Sequence, residues 1–304
     1  MFERSAGIAV AERDAGDASP QLRAAYAACR DITQSASKTF YLASLFLSPE
    51  KRRAVWAVYA FCRMADDLVD RIAPAGDRLG ALDRLERDLL ACIGGRPSEP
   101  IFIAYADATA RYGIPLDPAL ALLRGARMDV TVRRYQTYDE LGEYCYLVAS
   151  TVGLLVSPIL GYAAGEALEY GIVLGRAMQL TNILRDVGED ALMGRVYLPI
   201  EDLVRFDYAE RDVFAHVLDE RFVALMQFQI ARVRELYAAA EPGIALLSPD
   251  ARYTVRLALT LYRRILAVIE ANGYDVFGRR AFVPLRSKIV SALGVALAPP
   301  RVER

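Results

Sequence analysis

The sequence predicts an all-α protein folded as a single domain over residues 1–304. Three observations carry that prediction. Helix starts recur in one form, a capping residue followed by proline at the first helical position, as in Ser48-Pro49, Asp117-Pro118 and Ser248-Pro249. Apolar residues follow helical spacing, and no stretch shows the alternation or turn chemistry of a strand or hairpin. The breaks between helical stretches, 94–100 (GGRPSEP), 113–118 (GIPLDP) and 193–199 (MGRVYLP), are too short to divide domains. No short-period repeat is visible.

Taken in order, residues 1–20 are expected to be flexible. They begin MFERSAGIAVAERDAG, with early acids and no sustained apolar run, which does not read as a signal peptide. Ser37-Lys38-Thr39-Phe40 reads, taken alone, first as a helix N-cap, and second as hydroxyls and a lysine that suit phosphate oxygens. The helix after Ser48 carries Val55, Val58, Tyr59 and Cys62 at helical spacing. The same reasoning places helices at 77–93, 99–112, 117–130, 138–162, 166–190, 212–241, 249–271 and 284–296. Residues 144–165 contain no charge and are long enough to span a bilayer. Ser150, Thr151, Gly153, Ser157, Pro158 and Gly161 dilute their hydrophobicity, so a buried helix is the expected reading. An all-round apolar helix is also what an internal apolar cavity needs.

Composition excludes some functions. Hydrophobic residues make up 54%, ample for a core, and the net charge is −1, which argues against nucleic-acid binding through bulk charge. Lysine occurs only at 38, 51 and 288, and arginine supplies the remaining positive charge. Arginine suits bidentate phosphate contacts, and genomic base composition explains the bias equally well. Cys29, Cys62, Cys92 and Cys145 have neither metal-ligand spacing nor a disulfide framework, so a reduced, cytoplasmic setting is expected. The single histidine, His216, makes no triad and no histidine-based metal site. No dinucleotide-binding glycine signature is present, and no NADPH requirement is expected.

The most informative chemistry is a repeated acidic pattern. Asp66 and Asp70 lie four apart near the end of one helix, with Arg63 upstream. Asp186 and Asp190 repeat that spacing near the end of another, with Arg185 upstream. Residues four apart share a helix face, so each pattern aims two carboxylates one way. Two such pairs facing each other would hold Mg²⁺ ions, and those ions a diphosphate. Gln179, Asn182, Asp186 and Asp190 form one polar stripe in an otherwise apolar segment, which is costly unless paired. Tyr59, Arg63, Asp66 and Asp70 form the other. Read blandly, the first is a solvated face and the second an intrahelical Arg63–Asp66 ion pair. The duplication favours the metal reading.

The stretch SASKTFYLASLFLSPEKRRAVWAVYAFCRMADDLVD, with YCYLVASTVG at 144–153 and QLTNILRDVGEDALMGRVYLP at 179–199, resembles the phytoene/squalene synthase family of head-to-head prenyl transferases. Across roughly residues 30–290, the chain looks most like the bacterial phytoene-forming members. The resemblance implies the isoprenoid synthase fold, with helices around a central apolar cavity. It implies isoprenoid diphosphate substrates and Mg²⁺, with Mn²⁺ as a substitute. By position, Asp66, Asp70, Asp186 and Asp190 would bind metal, joined by Asn182. Arg63 and Arg185 would support the diphosphates. Ser37 and Thr39 match diphosphate-binding hydroxyls, Gln179 a cavity position near the metal, and Tyr144 a tyrosine near the reacting carbons. Val148 and Gly153 match cavity-wall positions. Tyr262 and Arg280 match a tyrosine and an arginine that reach the diphosphate, with Arg279 the alternative to Arg280.

Two departures stand out: Ala36, where some relatives have histidine, and Ser150, where many have glycine. The implied reaction joins two geranylgeranyl diphosphates into phytoene through a cyclopropyl diphosphate. The alternatives are a C30 synthase acting on farnesyl diphosphate and a non-catalytic binding relative. Peripheral membrane contact is expected for releasing an oily product, and both monomer and homodimer remain open.

Overall fold

The computed structural model describes residues 19–71 and 75–297, and most of the expectation for residues 1–20 falls outside them. The elements are α1 (Pro20–Ala36), α2 (Lys38–Ser44), α3 (Pro49–Arg71), α4 (Ala75–Ile93), α5 (Pro100–Tyr112), α6 (Leu116–Thr131), α7 (Tyr138–Cys145), α8 (Thr151–Leu160), α9 (Glu166–Leu192), α10 (Ile200–Arg205), α11 (Glu210–Phe214), α12 (Glu220–Ala240), α13 (Pro249–Ala271) and α14 (Leu285–Leu297). A π-helical turn, Tyr146–Ser150, joins α7 to α8, and a 3₁₀ turn, Glu241–Leu246, follows α12. Among the described residues there are isolated β-bridges but no strands.

The two helices that carry the acidic patterns each organise a core. α3 packs against α1, α4, α5, α6 and α8, burying Val58, Phe61 and Val69 against Leu82, Phe102 and Leu155. α9 packs against α7, α8, α12 and α13, burying Leu180, Ile183 and Leu184 within a second cluster that holds Phe222, Leu225 and Leu257. Each fully buried side chain of this kind contributes about 1.5–3 kcal/mol. The α6, π-turn and α8 segment lies between the two cores.

Ser37 accepts a hydrogen bond from the Phe40 amide at 3.2 Å, so it is an N-cap as expected, and it separates α1 from α2. α6 begins at Leu116 after Pro115, with Asp117 in its first turn rather than at the cap. Pro118 then falls at the third helical position, where no intrahelical donor is needed. The stretch expected as one helix over 212–241 is broken. His216 adopts φ 54°, and the Asp219 carboxylate caps a new helix by accepting from the Arg221 and Phe222 amides. An acid able to cap outcompeted helix continuation there.

The apolar run Tyr138–Leu160 is long and apolar enough to cross a membrane. It instead packs among α3, α6 and α9 with Ser150, Thr151 and Ser157 buried and hydrogen-bonded, as the buried-helix reading expects. Its π turn is fixed from outside. The Ser150 hydroxyl donates to the Ile172 carbonyl of α9 at 2.7 Å, and Gly175 lets the two backbones meet. Ser150 therefore ties helices together.

Candidate active site

The final turns of α3 and α9 share one electrostatic environment. Burial, and then repulsion from Asp129, Asp70 and Asp67 against the pull of Arg63, pushes the Asp66 carboxyl up to about 7. Solvent still reaches Asp66, so this desolvation is that of a recess rather than a sealed core. Burial and the neighbouring Asp186, Asp129 and Glu189 push Asp190 up to about 7 as well, against Arg195. Asp129, on α6, acts on both carboxylates and so sits between the two patterns.

Arg63 does not pair with Asp66 as the bland reading expected. It donates to Asp67, one position further along the helix. On α9, Arg185 grips its neighbour Asp186 through Nε at 2.8 Å, and Arg280 donates to the same carboxylate at 3.0 Å. Arg280 also lies 3.4 Å from Glu189. Of the two arginines left open by the sequence, Arg280 is the one that reaches the second acidic pattern. Asn182 and Gln179 are in hydrogen-bond contact at 3.4 Å one turn before Asp186.

An apolar cavity enclosing about 1090 Å³, its mouth included, runs between α2, α8, α9, the 3₁₀ turn and α13. Thr39, Gly153 and Tyr262 line it, as do Phe40, Leu174 and Met178. Tyr262 feels the charges of Arg185 and Asp186, so the cavity ends at the second acidic pattern. Gly153 is needed for packing as well as space, because a Cβ there would sit 2.8 Å from the Gly171 carbonyl oxygen. Val148 is not among the lining residues. It turns toward Gly125 of α6, whose missing side chain gives it room. Ser37, at the start of α2, faces the Tyr59 phenol.

Tyr144 is buried in a cluster of three tyrosines, with ring centroids 5.4 Å from Tyr135 and 5.3 Å from Tyr197. Tyr197 donates to Asp129 at 2.8 Å, and Tyr144 also hydrogen-bonds that carboxylate. Burial and the charge of Asp129 hold the Tyr144 phenol far above its ordinary range, so it stays protonated.

Sequence reasoning missed four residues here. Asp129 and Tyr197 form the network just described. Arg195 is 6% exposed, lies 3.6 Å from Asp70 and donates to the Asp129 carbonyl at 3.3 Å. Its Nε is buried without a partner. Lys288 of α14 donates to the Thr39 hydroxyl at 2.7 Å, beside an expected diphosphate contact. Arg195 and Tyr197 lie within the 179–199 motif, and for Asp129 and Lys288 the only signal was residue type. They come from α6, the 193–199 break and α14, which no single-helix spacing connects.

The donor set suits a hard divalent cation: carboxylates and an amide, with no histidine or cysteine among them. Burial first, and then the neighbouring acids, push two of these carboxyls up to about 7. Among the described residues no three acidic, histidine or cysteine side chains stand ready as a cage.

Fold and site together define an isoprenoid synthase: an all-α shell, an apolar cavity and two acidic helices that share one electrostatic environment at its end. The chain belongs to the squalene/phytoene synthase family, whose sequence profile matches residues 33–287. It is 45% identical over 282 residues to a 15-cis-phytoene synthase of Synechococcus elongatus, covering 89% of this chain and 92% of that one. It is 40% identical to phytoene synthase 2 of Solanum lycopersicum, covering 92% and 93%. A solved dehydrosqualene synthase superposes with TM-score 0.86 at 35% identity, covering 91% of this chain and 96% of that one. A squalene synthase of Alicyclobacillus acidocaldarius gives 0.79 at 30%, covering 85% and 97%.

Proposed function

We propose that this prenyltransferase joins two geranylgeranyl diphosphates head to head into phytoene, through a cyclopropyl diphosphate and without NADPH. The observation that carries the reading is the meeting of both acidic helices at the polar end of one apolar cavity. The choice of phytoene rests on relatives of that name at 40–45% identity over most of the chain. A C30 reading, with farnesyl diphosphate as substrate, is favoured by the similarity to the solved dehydrosqualene synthase. A binding-only role is disfavoured because both acidic patterns and their arginines are intact.

Divalent cations bound by Asp66, Asp70, Asn182, Asp186 and Asp190 would neutralise the departing diphosphate. The protein's own groups do the rest. Arg185, Arg280 and the Thr39–Lys288 pair hold diphosphate oxygens by charge-assisted hydrogen bonds. The apolar walls exclude water while an allylic cation is attacked by the second molecule's double bond. A second ionisation and rearrangement follow. Loss of a proton then leaves the central alkene. Tyr144, held by Asp129, steers the cation by its phenol dipole or relays that proton to Asp129. A Tyr144→Phe enzyme with unchanged rate and product would remove this role.

The test is incubation with Mg²⁺ and, separately, the C15 and C20 diphosphates, with and without NADPH, and identification of the hydrocarbon by mass. A C40 product from the C20 substrate without NADPH is expected. A C30 product from the C15 substrate alone would move the assignment to the second reading, and no product from either would return the binding role.

A further inference from the structure

We infer that the cleft between α1, α3 and α5 is a second anion site, built for a compact phosphate group that is either free or the end of a small molecule. The cleft encloses about 830 Å³, its mouth included. Arg23 and Arg30 of α1, Arg53 of α3 and Arg111 of α5 line it, against two acids, Glu50 and Asp107. The lining is therefore net positive in a chain whose net charge is −1. No residue lines both this cleft and the apolar cavity. Arg53 precedes Asp66 by about 20 Å along α3, so the cleft is remote from the acidic helix ends.

Two of the guanidiniums are fixed in place and keep donors to spare. Buried Tyr26 organises both. Its hydroxyl donates to Asp107 at 2.7 Å, and Asp107 accepts from Arg111 Nε at 2.8 Å. Both terminal nitrogens of Arg111 are left without a partner among the described residues. The Arg53 guanidinium lies over the Tyr26 ring, 5.7 Å from its centroid. Its carboxylate neighbour is Glu50 at 3.9 Å, too far for a hydrogen bond. The charges of Arg53 and Arg111 both reach the phenols of Tyr26 and Tyr112, so the two forks converge. Arg30 pairs with its exposed neighbour Asp31, a contact that water weakens. Forks of this kind bind phosphate oxygens bidentately. Trp56 is already packed by Tyr41 and Arg52, so the cleft recognises the anion rather than an aromatic ring.

The cleft shares a wall with the apolar cavity. Trp56 lines the cleft, and its indole nitrogen donates at 2.8 Å to Ser44, which lines the cavity together with Val55. An anion that draws in Arg53 therefore acts on the helix that carries Asp66 and Asp70. That makes the cleft an effector site for the proposed reaction, a use that rests on that reading. The site itself does not.

Trp56 is the chain's single tryptophan, so its fluorescence reports the cleft directly. The test is titration of the full chain in metal-free buffer at constant ionic strength, with phosphate, diphosphate and ATP in separate arms. A saturable change is expected in the wild type. Diphosphate matching ATP assigns the site to the free anion, and tighter ATP assigns it to the phosphate tail of a larger molecule. Arg53→Ala and Arg111→Ala weaken binding by at least about tenfold, while Arg280→Ala, in the diphosphate site, leaves it unchanged. Glu50→Gln tightens binding by about threefold, a gain that a misfolded variant cannot mimic. No saturable change with any of the three anions overturns the inference. So does a change that Arg280→Ala removes and Arg53→Ala keeps. Because the titration needs neither Mg²⁺ nor turnover, its outcome is separate from that of the product assay.

Discussion

Gly175 is where α9 meets the π turn, and replacing it with alanine tests the contact that shapes the cavity. A Cβ at this position would lie 2.7 Å from the Ala149 carbonyl oxygen and from the Ser150 Cα, and 2.8 Å from the Ser150 amide nitrogen. All three neighbours are backbone, so no flexible side chain can yield. Ordinary contact needs about 3.5 Å, so the π turn must retreat by roughly 0.8 Å. Overpacking of this kind costs about 1–3 kcal/mol, and a backbone obstacle belongs at the upper end. Alanine in place of glycine inside a helix returns about 1 kcal/mol. The net is a loss of about 2 kcal/mol, or a fall in Tm of roughly 3 °C for a chain of this length. Gly294, inside α14 with nothing near its missing Cβ, is the control. Gly294→Ala keeps only the propensity gain and raises Tm by about 1–2 °C. Ala149 and Gly175 both line the cavity, so Gly175→Ala also lowers kcat/KM. Thermal denaturation of the three proteins side by side is the assay. A Gly175→Ala protein as stable as the wild type or more so would refute the reasoning.

Asp66→Asn removes a carboxylate that the fold holds up near 7, so at pH above that value the metal-free variant melts higher than wild type. Its Mg²⁺-dependent turnover falls at least about a hundredfold, a pairing that a merely structural aspartate would not give. Arg195→Met takes away the cation beside Asp70, Asp129 and Asp190, costing on the order of 3 kcal/mol in urea denaturation. Added Mg²⁺ recovers part of that loss by restoring positive charge. Burial pushes Cys29 and Cys145 up to about 12 and Cys92 up to about 11, with Cys62 higher still. The thiols therefore stay protonated, and iodoacetamide at about pH 8 labels the folded protein at least about a hundredfold more slowly than the unfolded chain. Equal rates would contradict the burial.

The acidic helices were legible because their information is local. Steps of three and four within one helix fix a shared face before any tertiary contact forms, and the stripes Tyr59–Asp70 and Gln179–Asp190 needed no more than that. The expected Arg63–Asp66 pair fails for a reason of the same scale. Arg63 can turn toward either acid, and the tertiary crowding around Asp66 decides for Asp67. Asp129, Arg195 and Lys288 come from elements with no common spacing, so only packing brings them together. The π turn was illegible because Tyr146–Ser150 is composed of ordinary helical residues, and the cause of its geometry lies on α9. The break at His216 had a signal in Asp219, a good cap inside a long helical pattern.

The central claim is that α3 and α9 grip one substrate through one site. Calorimetric titration with an unreactive thio-diphosphate analogue of the C20 substrate tests it most directly, on the wild type, Asp66→Asn and Asp186→Asn, each with and without Mg²⁺. Strong binding only to the wild type and only with Mg²⁺, with each single variant losing at least about tenfold, is the predicted result. Full-strength binding in either variant would mean that one acidic helix suffices, and would contradict the account.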